Sequence, residues 1–209
     1  MNTFKSGKSN RVLVLLGILT LFSIVGCNNQ PESKTEAAEF NKIDSLRATF
    51  LTIEDSLVHT WNVMINDDNK KIKSLKRLVE EVVYAGGVDS VITQGLLQRL
   101  KYLKSERYSC KTMSDSDLID SYDSISNVLV NEVIALAMSH EEFGRNIVMN
   151  EMIDEINEAE GKILFFRIDY DDVAKMYNKF IEQNQVYMSD IDGKNDLKKI
   201  PIFELPSDQ

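Results

Sequence analysis

Two residue types in this 209-residue chain are placed where they could do chemistry: carboxylates that cluster, and cysteines that do not. Asp190-x-Asp192-Gly193 is the nearest approach to a calcium loop. A bidentate acid is needed at the twelfth position, and Pro201 stands there. Ser114 to Asp123 holds four aspartates, but they open a predicted helix, where capping and the helix dipole account for them. Glu151, Asp154, Glu155 and Glu158 recur at helical spacing, so they form a solvated strip along one helix. His59 and His140 are isolated, with no Glu-x-x-His or His-x-x-x-His pair, which leaves no zinc or di-iron pattern. No phosphate loop and no nucleophile elbow is present. The expectation is a non-enzyme with no metal and no cofactor.

The cysteines speak to location. Cys110 is alone in the body of the chain, so no disulfide is expected within it. Cys27 follows Ile24-Val25-Gly26, behind a basic segment (Lys5, Lys8, Arg11) and a 14-residue apolar run from Val12 to Val25. That junction resembles the lipobox of bacterial lipoproteins, in which the thiol is acylated and becomes the first residue after cleavage. The resemblance implies a signal peptide over 1–26 and membrane attachment through acyl chains on Cys27. Attachment would be firm, since each buried methylene contributes ~0.8 kcal/mol. Asn28 is not the Asp that retains such proteins at the inner membrane in enteric bacteria, so the expected site is the cell envelope, with the outer membrane favoured. Cleavage would remove three of 24 basic residues and none of 33 acidic ones. The acidic balance excludes nucleic acid as a partner.

The remaining sequence must supply the scaffold. Residues 27–37 are polar, contain Pro31, and read as a flexible tether. A helix is predicted from about Ala38 to Tyr84, with Ile43, Leu46, Phe50, Ile53, Leu57, Trp61 and Met64 on one face, then Ile72, Leu75, Val79 and Val82. Between these runs the seam would place Asp68 on the inner face, so Asp67-Asp68-Asn69 is a local conflict. A kink, a helix break or a buried polar contact would answer it, and the favoured reading is a seam that drifts here and leaves the charges in solvent. Ala85-Gly86-Gly87 ends the helix. A second helix is expected over Val88 to Tyr108, with Val91, Leu96, Leu100 and Leu103 inward. A third follows the Ser114–Asp117 cap, with Leu118, Tyr122, Ile125, Leu129 and Leu136 inward. The last and most regular helix is expected over 146–184. Its seam is Ile156, Ala159, Ile163, Phe166, Tyr170, Val173, Tyr177 and Phe180, spaced alternately by three and four. Residues 189–209 read as an irregular tail in which Ile202-Phe203 could pack back. The predicted fold is all-α: an antiparallel bundle of about four helices over 38–188, with long first and last helices.

Glu160-x-x-Ile163-x-x-x-Arg167-x-x-Tyr170, then Val173-x-x-x-Tyr177-Asn178, is similar to the last long helix of LemA proteins. Trp61-Asn-Val-Met-Ile65 and Lys73 to Val82 are similar to that family's first helix, so the resemblance spans 57–181. The first of the family's two Tyr-Asn pairs is Tyr170-Asp171 here, and its usual uncleaved membrane helix is replaced by the lipobox. The resemblance implies a membrane-attached bundle outside the cytoplasm, with a structural or protein-interaction role and an envelope protein as partner. It carries over no catalytic residue. The alternative is a periplasmic bundle that binds or senses a small molecule. The sequence leaves the oligomeric state open.

Overall fold

The computed structural model describes residues 32–193 and 197–203. The chain divides into two units, residues 1–42 and 43–209. Of the first, only the start of one helix is described, and Cys27 lies outside the described residues. Among the described residues there is no strand, and five α-helices follow in order: α1 Glu32–Ala85, α2 Ser90–Glu106, α3 Ser116–Ser139, α4 Ile147–Gln183 and the short α5 Met188–Asp192. The fold is therefore the expected all-α bundle with long α1 and α4 packed antiparallel.

The antiparallel pairing can be followed residue by residue. Phe50 meets Tyr177 and Phe180, Trp61 meets Tyr170, Lys71 meets Glu160, Ser74 meets Glu155, and Glu81 meets Asn146. As numbers rise on α1 they fall on α4. From Ile43 to Ala85, α1 is about 64 Å long at ~1.5 Å per residue, enough to run the length of α4. The shorter α2 and α3 pair with each other, joined across their outer faces by Arg99 and Glu132.

Each boundary has a local cause. Gly86 and Gly87 hold φ of 86° and 75°, left-handed angles that end α1 without a Cβ clash. The Asp89, Asp115 and Asn146 side chains accept backbone N–H groups from the first turns of α2, α3 and α4. His140 Nε2 lies 2.7 Å from the Gly86 carbonyl oxygen, tying the α1–α2 turn to the α3–α4 turn.

Two apolar clusters fill the interior. The larger is centred on Leu75, Leu78, Val82, Leu103, Leu129 and Ile156. The smaller joins Phe50 and Ile53 of α1 to Tyr177, Phe180, Met188 and Ile191. Each such buried side chain contributes roughly 1.5–3 kcal/mol relative to exposure.

Several expectations need correction. α1 begins at Glu32, six residues ahead of Ala38 and inside the stretch read as tether. On α2 the buried set is Thr93, Leu96, Leu100 and Leu103, and Val91 is exposed because it falls out of phase with that stripe. On α3 Ile119 is buried and Leu118 exposed, a one-residue shift of phase. Phe166 is half-buried, packed against the edge of the larger apolar cluster and only partly covered by it. The tail is not wholly irregular: it forms α5, capped by Gly193 at φ 70°, and Arg47 donates to the Ile191 carbonyl oxygen at 3.1 Å. Finally, α1 passes through Asp67-Asp68-Asn69 without a break, and Asp68 points inward.

Candidate functional site

Asp68 is 6% exposed. Residues 61, 64, 68, 71, 75, 78 and 82 recur at alternating steps of three and four, so an inward Asp68 brings Lys71 inward with it. The cost of burying both charges is met by partners on every neighbouring helix. Arg107, which caps the end of α2, donates to Asp68 Oδ2 at 2.6 Å and to Asn69 Oδ1 at 3.1 Å. Tyr122 of α3 donates its hydroxyl to the same Asp68 oxygen at 2.6 Å, and Lys71 Nζ lies 3.4 Å from Oδ1. Lys71 in turn donates to Ser126 Oγ of α3 at 3.0 Å and to Glu160 of α4 at 2.5 Å. One turn further along α1, Ser74 donates to Glu155 at 2.8 Å. Two cations face two anions in one layer that all four long elements share. Burial first, then the Asp68 carboxylate, pushes the Tyr122 phenol far up, so it stays a donor at any physiological pH.

A second polar group lies along α4. Arg167 donates two bonds of 2.8 Å to the Asp123 carboxylate and one of 3.1 Å to the Tyr108 hydroxyl. Its guanidinium also lies over the Phe203 ring at 5.0 Å from the centroid. Burial works against that charge, but the bond to Asp123 and the partners around it hold the guanidinium above its usual range. Burial pushes the Tyr108 phenol up as well. Tyr108, Trp61, Tyr170 and Phe203 pack edge to face at centroid distances of 5.5–6.3 Å. Burial raises the Tyr170 phenol to about 12.

The extended segment after α5 is held by side chains at matching positions two turns apart on α4. Asn178 donates to the Ile200 carbonyl oxygen at 2.8 Å and accepts the Ile200 N–H at 2.7 Å. Asp171 accepts the Phe203 N–H at 2.8 Å. Phe203 is thereby seated in the core, 4% exposed. Asp171 is 2% exposed, and burial raises its carboxyl above the usual range.

Beside this segment lies an open hollow of about 930 Å³. Leu57 and Trp61 of α1, Tyr170 of α4, and Ile200 and Pro201 form its apolar lining. Lys111 from the α2–α3 connection, with Lys198 and Lys199 from the C-terminal segment, stand around it. The exposed free thiol of Cys110 is also on its edge.

The residues singled out from sequence are scattered. His59 is exposed, and Glu158 pairs with Lys162 on the solvated strip. The Asp190 and Ile191 carbonyl oxygens receive Arg47. Tyr102 is exposed. Among the described residues no set of three His, Cys, Asp or Glu side chains is placed to hold a metal ion, and no helix is long and apolar enough to cross a membrane. Sequence reasoning missed the roles of Lys71, Arg107, Asp171 and Asn178. Lys71 left a signal in its place on the α1 seam, and Asp171 and Asn178 in standing at the two Tyr-Asn positions of the LemA resemblance. No family model, curated protein or solved structure matches the chain.

Proposed function

We propose that this chain is a lipid-anchored helical bundle of the bacterial cell envelope, LemA-like, with a structural or interaction role and no catalysis of its own. The anchor rests on Cys27 and the Ile24-Val25-Gly26 junction behind the apolar run. The structural role rests on one observation: the polar residues that carry the LemA resemblance hold the bundle together. Glu160 receives Lys71, Arg167 grips Asp123 and Tyr108, and Asn178 brackets the backbone of Ile200. Residues committed in this way are fixtures of a scaffold. A scaffold at a membrane acts through what it presents, and an envelope protein is the partner this reading expects.

The test is Cys27→Ala in a bacterial host fed labelled palmitate. Wild type should incorporate label and fractionate with membranes, while the variant should accumulate as an unlabelled precursor. A variant labelled and fractionated like wild type would refute the anchor.

The hollow between α1 and the C-terminal segment favours a second reading, a bundle that binds a small molecule. Its volume falls within the ~300–1,000 Å³ of small-molecule sites, and its lining is apolar with a few polar groups.

A further inference from the structure

We infer that the hollow beside Trp61 binds the anion of a long-chain fatty acid, with the hydrocarbon chain on the apolar lining and the carboxylate among Lys111, Lys198 and Lys199. This deepens the ligand-binding reading given above and rests on it.

Three observations converge. The lining offers aliphatic and aromatic surface from three separate parts of the chain, α1, α4 and the Ile200-Pro201 segment. Val58, also on the hollow, is 59% exposed, an apolar surface left facing solvent. The rim has the opposite sign to the molecule. The chain has a formal net charge of −9, yet among the described residues three lysines and no carboxylate line this hollow. Lys199 shares its charge with exposed Glu182 at 3.2 Å, whereas Lys111 and Lys198 pair with no carboxylate among the described residues. An apolar trough with unspent ammonium groups fits an amphiphile whose head is anionic. A neutral lipid would leave the lysines unused, and a cationic one would be repelled.

Trp61 lines the hollow and is the only tryptophan of the chain, so its fluorescence reports on this place alone. The full-length protein, in a non-ionic detergent at fixed concentration, is titrated with dibromostearic acid, whose bromines quench an indole on contact. Quenching should saturate and be reversed by unbrominated oleate. The methyl ester of dibromostearic acid should bind about ten-fold or more weaker, since it forfeits the charge-assisted contacts. Lys111→Gln/Lys198→Gln/Lys199→Gln should weaken the acid by a similar factor and leave the ester unchanged, with the helical circular dichroism intact. Val58→Glu, at an exposed position, should abolish quenching by the acid without touching the core.

Equal quenching by acid and ester, in wild type and triple variant alike, would overturn the anion site while leaving a ligand-binding bundle. Absence of saturable quenching by either would overturn both. Trp61 emission that shifts with protein concentration and ignores the fatty acid would mean that a second copy covers the hollow, and would equally overturn the inference.

Discussion

Asp68→Ala should be among the most damaging single changes in this protein. The substitution removes the acceptor of Arg107 and Tyr122, both at 2.6 Å, and the carboxylate 3.4 Å from Lys71. What remains is an excess of buried positive charge. Breaking a buried ion pair from one side costs about 3–5 kcal/mol. Tyr122→Phe removes one hydrogen bond to a charged acceptor and keeps the ring, which costs about 1.5–3 kcal/mol. The two losses should not add. Once Asp68 is gone the Tyr122 hydroxyl has lost its acceptor, so removing it should cost little more, giving a coupling of about 1.5–3 kcal/mol, within the range for contacting residues. Urea unfolding of wild type, both single variants and the double variant measures all four corners. Losses that add to within about 0.5 kcal/mol would show that the two groups do not share a bond. A loss under about 1 kcal/mol for Asp68→Ala would show that the side chain is solvated, as the sequence alone suggests.

Two further expectations concern α4. Ile156→Ala, at a fully buried site, should cost about 2–5 kcal/mol, and half-buried Phe166→Ala should fall below the ~3–5 kcal/mol of an enclosed aromatic, with Glu158→Ala on the solvated strip changing stability by under ~0.5 kcal/mol. Equal losses at Ile156 and Glu158 in urea titrations would refute the assigned face. Asp171→Asn tests the effect of pH. The Asp171 carboxyl is raised in the fold, so its contribution is fully present below its unfolded value near ~3.9 and fades as pH rises through the folded value. Asparagine retains an oxygen for the Phe203 N–H without the charge, so its stability relative to wild type should improve between pH 4 and pH 7. The opposite trend in urea unfolding at the two pH values would contradict the burial of that charge.

Much of the bundle was legible because α4 states its period plainly: Ile156, Tyr170, Tyr177 and Phe180 are all buried, as the alternating steps of three and four require. On α1 the same rule, kept strictly, leads from Met64 through Asp68 and Lys71 to Leu75 and Leu78. The expectation that charge belongs in solvent diverted the seam to Ile72, which is only half-buried, and hid the polar layer. Charge is buried here because Arg107, Tyr122 and Glu160 answer it, and they lie up to 89 residues from Lys71 along the chain, where no local pattern connects them. The hollow was illegible for a similar reason. Trp61, Lys111, Tyr170 and Ile200 meet only once the chain is folded, and although Asp171 and Asn178 stand out as the two Tyr-Asn positions, the backbone they recognise carries no sequence signature.

The polar layer has a mechanical consequence. Two apolar seams with the same repeat can slide past one another by one heptad, about 10.5 Å, and find nearly equivalent packing. The layer formed by Asp68, Lys71, Tyr122 and Glu160 has no second copy at that spacing, because the positions one heptad away on α1 are Leu75 and Leu78 on one side and Trp61 and Met64 on the other. A slipped bundle would set bare charges against hydrocarbon. Axial displacement of α1 against α4 therefore meets a detent: the pair resists gradual creep under load and yields only when the whole layer lets go together.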